Sequence, residues 1–216
     1  MITASAFLFS LFTVFLVYSI SLRAEGKRMI GLILSGIMIS SLFTAGTSFI
    51  KLVADQNSEL PAITYWLMGS LSGATKKDVA FVVFPMALGL LPLFLLRWQI
   101  NILTLGDDEA QTLGININLL RLIVIICSTL ITAASVSVSG MIGWVGLVMP
   151  HLSRKLVGNN YQHLLPATMI FGAIFMLVVD NVSRNLLATE IPLGILTAFI
   201  GAPFFIYLIT RRGDSF

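Results

Sequence analysis

Residues Ile2–Leu22 form an apolar run without one charged side chain. A helix needs about 20 apolar residues to cross the hydrocarbon of a bilayer, and runs of that length recur along the chain. Met29–Val53 is a second, with Lys51 near its end. Val79–Leu96 is a third; its Pro85 and Pro92 are tolerable in lipid when neighbours re-satisfy the freed backbone groups. Leu119–Val138 is a fourth, Ser139–Arg154 a short and broken fifth, and Leu164–Leu187 and Pro192–Thr210 make seven. The expectation is an all-α fold: a polytopic transmembrane helix bundle of about seven crossings, one membrane domain over residues 1–216. Composition agrees. The chain is 57% hydrophobic and only 11% charged, against about a quarter charged in soluble domains. The first run is not expected to be a cleaved leader, because no basic residue precedes it and Arg23-Ala24-Glu25 follows it. Cys127 is the only cysteine, so no disulfide forms within one chain.

Lysine and arginine set the orientation. Arg23, Lys27, Arg28, Arg97, Arg121, Arg154, Lys155, Arg211 and Arg212 share one side of an alternating topology; Lys51, Lys76 and Lys77 fall opposite. The richer side is cytoplasmic. The C-terminus is therefore expected inside and Met1 outside, a placement that implies upstream crossings missing from this chain. The net charge of +3 is a loop bias and not a nucleic-acid footprint.

Two loops are long. Ala54–Asp78 contains Ile63-Thr64-Tyr65-Trp66-Leu67-Met68-Gly69-Ser70, too short to span and expected as an interfacial or re-entrant helix. Residues 97–118 hold the most polar run, Leu105-Gly106-Asp107-Asp108-Glu109-Ala110-Gln111-Thr112-Leu113-Gly114. Acids suit the first turn of a helix, and Gly114 offers a stop. Leu105, Ala110 and Leu113 are expected to form a small apolar patch beside the acids. The run reads either as a solvated connector or as a docking helix for a cytoplasmic partner.

The fifth segment reads SGMIGWVGLVMPHLSR. Small residues let helices approach where lipid supplies no hydrophobic drive. Gly140, Gly143 and Gly146 suit a bent backbone packed against neighbours. Pro150 is expected to break the segment or start a new helix, with His151 and Arg154 one turn apart beyond it. Irregular backbone at membrane depth belongs against protein or a cavity. His151 reads as a structural histidine, and with His163 in a polar turn the pair makes no metal site. Asp180 and Arg184 stand at i,i+4 with the acid first, the order that favours a structural ion pair, although ionisable groups inside a crossing also raise a functional reading. Glu190 is expected to favour the N-terminus of the last helix.

No phosphate-binding G-x-x-x-x-G-K-[ST] loop is present, so the chain itself is not expected to hydrolyse ATP. No G-x-S-x-G or H-E-x-x-H appears either, and the chain does not read as an enzyme.

The run Gly106–Gly114 resembles the coupling-loop signature of ATP-binding-cassette importer permeases. Gly140, Ile142, Gly143, Val145, Gly146, Leu147, Pro150, His151 and Arg154 are similar to a signature of the permeases that import iron-siderophores, haem, cobalamin and, in some members, molybdate. Trp66–Leu71, Leu164-Leu165-Pro166, Asp180 with Arg184, Glu190–Ala198 and Gly201–Phe204 fit as well. Trp144 stands where that family usually shows phenylalanine. The resemblance implies a fold of about ten crossings, of which this chain starts at the fourth. It implies a bacterial inner-membrane location, a second permease copy, cytoplasmic ATPase subunits that use the ATP, and a substrate-binding protein outside; the chain holds no cofactor. Leu105, Gly106, Asp107, Asp108, Glu109, Ala110, Leu113 and Gly114 become the ATPase-coupling residues. Ser35, Gly36, Ser40 and Ser41 of the second crossing become candidates for lining the path, with close helix packing as the other reading. Iron-siderophore is the expected cargo. A truncated remnant that does not transport is the alternative, and a secondary transporter is disfavoured by the scarcity of intramembrane acids.

Overall fold

The computed structural model describes residues 2–23 and 28–211. Met1, Lys27 and Arg212, used above for orientation, lie outside the described residues. Ten helices follow one another and no strand occurs among the described residues: α1 Ile2–Ser21, α2 Arg28–Val53, α3 Glu59–Met68, α4 Lys76–Leu95, α5 Arg97–Leu103, α6 Asp107–Thr112, α7 Ile117–Ser139, α8 Val145–Val157, α9 Tyr161–Asn185 and α10 Leu193–Arg211.

Five of these, α1, α2, α4, α7 and α9, are long and apolar enough to cross a membrane, and α10 contributes a shorter apolar stretch, Leu193–Tyr207. The expected fifth crossing differs. Residues 140–144 are not helical, and α8 has 13 residues, a length of about 20 Å against a hydrocarbon thickness of about 30 Å. Pro150 neither breaks nor starts a helix there. It lies inside α8, which begins five residues earlier at Val145. At the sixth helical position its missing N–H forfeits one intrahelical bond, and the helix runs on.

The starts of α4, α7 and α9 fall earlier than hydropathy placed them, because polar caps set them. Thr75 and Asp78 form a capping box: the Asp78 amide donates to Thr75 Oγ1 at 3.3 Å and the Thr75 amide to Asp78 Oδ2 at 3.0 Å. α4 therefore begins at Lys76. Asn116 accepts from the Leu119 amide ahead of α7, and Asn160 from the Gln162 amide ahead of α9. Replacing such a cap by alanine costs about 1 kcal/mol.

α7 is the mast of the bundle, with α1 and α4 packed along it. The α4–α7 contact is close at Gly89, where a Cβ would stand 2.8 Å from the Cys127 carbonyl oxygen. Further along, Leu93, Ile100, Leu120 and Cys127 form a buried cluster, backed by Tyr161 and Leu165 of α9. α2 leans on α1, α8 on α9, and α10 on both α8 and α9. The bundle thus has two working ends. One holds α5, α6 and the starts of α7 and α9. The other holds α3, the ends of α7 and α9 and the start of α10.

Candidate functional site

At the α6 end, the acidic run folds as a six-residue helix, shorter than Leu105–Gly114, with Asp107, Asp108 and Glu109 in its first turn. Gly106 precedes it and Gly114 follows it at φ +77°. The Leu105, Ala110 and Leu113 patch does not form. Ala110 is completely buried against Ile102 and Ile117, whereas Leu105 and Leu113 are more than half exposed. The physical reason is tertiary. Ile102 comes from α5 and Ile117 from α7, and together they close over the one small side chain of α6. Arg121 of α7 adds a second tie, its Nη2 donating to Asp107 Oδ1 at 2.7 Å and Oδ2 at 2.9 Å. The Glu109 carboxylate folds back over Gly106, where a Cβ would collide with Oε2. Asp108, Glu109, Leu105 and Leu113 are left as an exposed acidic and apolar surface on a helix held from behind.

That helix is wired into the bundle. The Tyr161 amide, at the start of α9, donates to Asn101 Oδ1 of α5 at 2.8 Å. α5 thus joins α6 on one side and α9 on the other.

At the α3 end, three chain breaks meet through glycines. The Ser70 amide donates to the Ser139 carbonyl and the Leu193 amide to the Gly69 carbonyl, both at 2.9 Å. Gly140 ends α7 at φ +67°, in the left-handed region, and a Cβ there would collide with the Trp66 carbonyl oxygen. Gly194 faces the Met68 carbonyl oxygen with no room for a Cβ, and at Gly69 a Cβ would stand 2.6 Å from the Met141 carbonyl oxygen. Only glycine permits backbone to touch backbone in this way. Gly143 and Gly146 behave otherwise. A Cβ at either meets open space within the chain, so their expected close packing is not found here. Ile142 lies partly buried in the break. Trp144 is the one described non-glycine residue at positive φ, +68°. Its ring meets Phe205 edge-on with centroids 6.0 Å apart, over Gly201. His151, one side of α8, stands 6.1 Å from the same Phe205 ring, and Arg154 one turn on is exposed. A cleft of about 660 Å³ opens beside Trp144, lined by Met68, Met141, Gly194, Ala198 and Phe199 among others.

On α2 the four path candidates do not share a face. Ser35 is buried against α1, its hydroxyl donating to the Gly31 carbonyl at 2.8 Å and lying 3.3 Å from the Val17 carbonyl oxygen. Gly36 is partly buried, but a Cβ there would meet open space, and Ser40 and Ser41 are exposed. Five and six residues beyond Ser35, they turn away from the α1 contact at 100° per residue. Thr44 and Ser48 continue their exposed, hydroxyl-bearing stretch, and Thr47 beside them is half-buried. Ser41, Thr44, Thr47 and Ser48 each donate to the carbonyl four residues back.

Arg184 Nε donates to Asp180 Oδ2 at 2.9 Å and Nη2 to Oδ1 at 3.1 Å. Glu190 Oε1 stands 4.0 Å from Arg184, so that acid faces this pair and not the first turn of α10. Sequence reasoning missed Asn101 and Arg121 as ties, since their partners lie 60 and 14 residues away. Gly69 and Gly194 stood inside quoted motifs, but nothing local says that they touch.

No group of three or more metal-ligating side chains exists among the described residues. What the fold defines is a helix bundle of the polytopic membrane class, with five helices long and apolar enough to span. Within that class, the chain belongs to the FecCD transport family, whose model matches residues 1–211. It is a family of transport permeases and not of enzymes. The chain is 44% identical, over 97% of its length, to the molybdate import system permease protein of Haemophilus influenzae. It is 43% identical, over 88% of its length, to a Helicobacter pylori permease assigned to an iron chelatin transport system. It spans 63% and 58% of those relatives' own lengths. A solved inward-facing ABC transporter assigned to the metal-chelate type superposes with a TM-score of 0.90 at 44% identity, covering 97% of this chain and 67% of that one.

Proposed function

We propose that the chain works as the membrane permease of a binding-protein-dependent ABC importer for a metal chelate. In this reading two copies enclose a path, ATPase subunits dock on the α6 end inside the cell, and a binding protein delivers cargo at the α3 end outside. The observation that carries the reading is the state of α6. Ala110 is locked between Ile102 and Ile117, Asp107 is tied to Arg121, and Leu105, Asp108, Glu109 and Leu113 remain outward. A solvated connector has no reason to be clamped on its inner face and apolar on its outer one. A clamped helix moves as a unit with α5 and α7 when a motor pushes on it.

The hydroxyls of α2 suit a path that passes a polar cargo without gripping it. The protons of Ser41, Thr44, Thr47 and Ser48 are already committed to backbone carbonyls, which leaves weak acceptors. Iron-siderophore is the working cargo; the molybdate and iron-chelatin relatives are nearly equal in identity and do not choose between them.

Reconstitution with the ATPase and binding protein in proteoliposomes tests the reading. Iron(III)-siderophore, haem, cobalamin and molybdate are each offered, and ATP hydrolysis is followed. Stimulation by the iron chelate supports the full proposal, and stimulation by molybdate alone overturns the cargo. An ATPase that stays bound and active with Leu113→Asp and Glu109→Lys together overturns the docking surface.

A further inference from the structure

The start of α9 is capped twice. Asn160, beside it, serves the Gln162 amide at 3.0 Å. The Tyr161 amide, one of the N–H groups a helix start leaves without an internal partner, is served instead by Asn101 Oδ1, on α5, at 2.8 Å. Ile100 packs in the same buried cluster as Tyr161 and Leu165. A residue of the segment that carries α6 thus holds the end of a membrane helix 60 positions away.

α9 then runs 25 residues, about 37 Å, to the α3 end. There Ser183 Oγ donates to the Ile191 carbonyl at 2.6 Å, and the Ile191 amide returns a bond to the Ser183 carbonyl at 3.2 Å. Two residues on, the Leu193 amide donates to Gly69, inside the glycine junction. One chain of specific contacts therefore links the α6 block to the breaks at the opposite end, with α9 as its stiff member.

We infer that Asn101 is a positioning residue that makes α9 a push-rod, carrying displacement of the α5–α6 block to the α9–α10 turn and the Gly69–Gly140–Gly194 junction. The inference rests on the docking reading above. Energetic coupling between distant sites needs a contiguous element whose position both sites bias, and a helix capped by the moving segment is such an element. The cap requires only an acceptor. Aspartate at 101 keeps it; leucine, of similar size, removes it.

The experiment uses the full chain in nanodiscs with its ATPase subunits. The variant Cys127→Ala removes the native thiol, and Thr189→Cys places a label site in the exposed α9–α10 turn. The rate of modification by a membrane-impermeant maleimide is compared without nucleotide and after trapping with ATP and vanadate. The parent should change its rate about fivefold or more, the lower range of measured site-to-site couplings. Asn101→Leu should abolish the change while the ATPase stays bound and hydrolyses ATP, and Asn101→Asp should restore it. A parent-like response in Asn101→Leu overturns the push-rod and leaves the docking reading intact. Loss of the response in Asn101→Asp as well as Asn101→Leu also overturns it, because the acceptor is then not what matters. A parent that binds no ATPase overturns the docking reading and, with it, this inference.

Discussion

At the α3 end, carbonyl oxygens of Trp66, Met68 and Met141 lie where the Cβ atoms of Gly140, Gly194 and Gly69 would be. At the α6 end, side chains do the holding: Ala110 between Ile102 and Ile117, Arg121 on Asp107, Asn101 on the Tyr161 amide. The first junction has no slack, because two backbones in contact cannot yield. The second is clamped by side chains, whose ties can be removed one at a time while the helices stay whole. In the reading proposed above, that contrast separates a block clamped by side chains, where a push would enter, from a backbone junction that would have to relocate as a unit.

The largest effect is expected where slack is absent. Gly140→Ala combines a positive φ with a collision against the Trp66 carbonyl, and should destabilise by about 3 kcal/mol. Thermal unfolding in detergent would show it, with Gly143→Ala, which meets open space, unchanged beside it. Equal melting of the two would remove the contrast.

At the α6 end, Ala110→Leu overfills a closed site and should cost about 1–3 kcal/mol. The loss should be local, read as faster hydrogen exchange in residues 105–116 with the α3 end unaffected. Exchange that accelerates at both ends together would show that the two junctions are one unit.

Ser153 of α8 has a buried hydroxyl without a hydrogen-bond partner. Ser153→Ala removes that unmet group and should raise stability by up to about 1 kcal/mol. A clear fall in melting temperature would mean that the hydroxyl is satisfied in the membrane.

Arg121→Gln should cost at most about 1 kcal/mol, because the Asp107 pair is half exposed. High salt should shrink the difference between variant and parent in the same exchange experiment.

The smallest effect belongs to the turn before α3. Hydrogen bonds from the Ser58 hydroxyl, then the Ser58 amide, hold the Asp55 carboxyl below its ordinary value. A lowered folded value means that ionised Asp55 supports the turn. That support is complete above the ordinary carboxylate range and fades as pH falls through the lowered value. Amide exchange at residues 57–60 should therefore speed up only in acid, and Ser58→Ala should flatten the dependence.

Much of the architecture was legible from hydropathy, because lipid admits few structures and an apolar run of sufficient length has to be a helix. Even the corrected starts of α4, α7 and α9 were written locally, in Thr75 and Asp78, Asn116 and Asn160. Pro150 neither breaks the segment nor starts a helix, contrary to what its chemistry alone suggests, because in α8 only one bond is forfeited and neighbouring α9 and α10 support the rest. Ser35 was grouped with Ser40 and Ser41 by composition alone; the phase of α2 against α1 separates them.

The sequence by itself determined which segments leave water, where their polar caps sit, and that Asp107–Glu109 open a short helix. Those follow from solvent and from hydrogen bonds a few residues long. The tertiary structure decided which small residues touch: Gly140 and Gly194 in contact, Gly143 and Gly146 in the open, Ala110 enclosed, Asn101 on a helix start 60 residues away. Contact depends on how helices are rotated and offset against each other, and that is settled by the packing of the whole bundle, not by any run of neighbours along the chain.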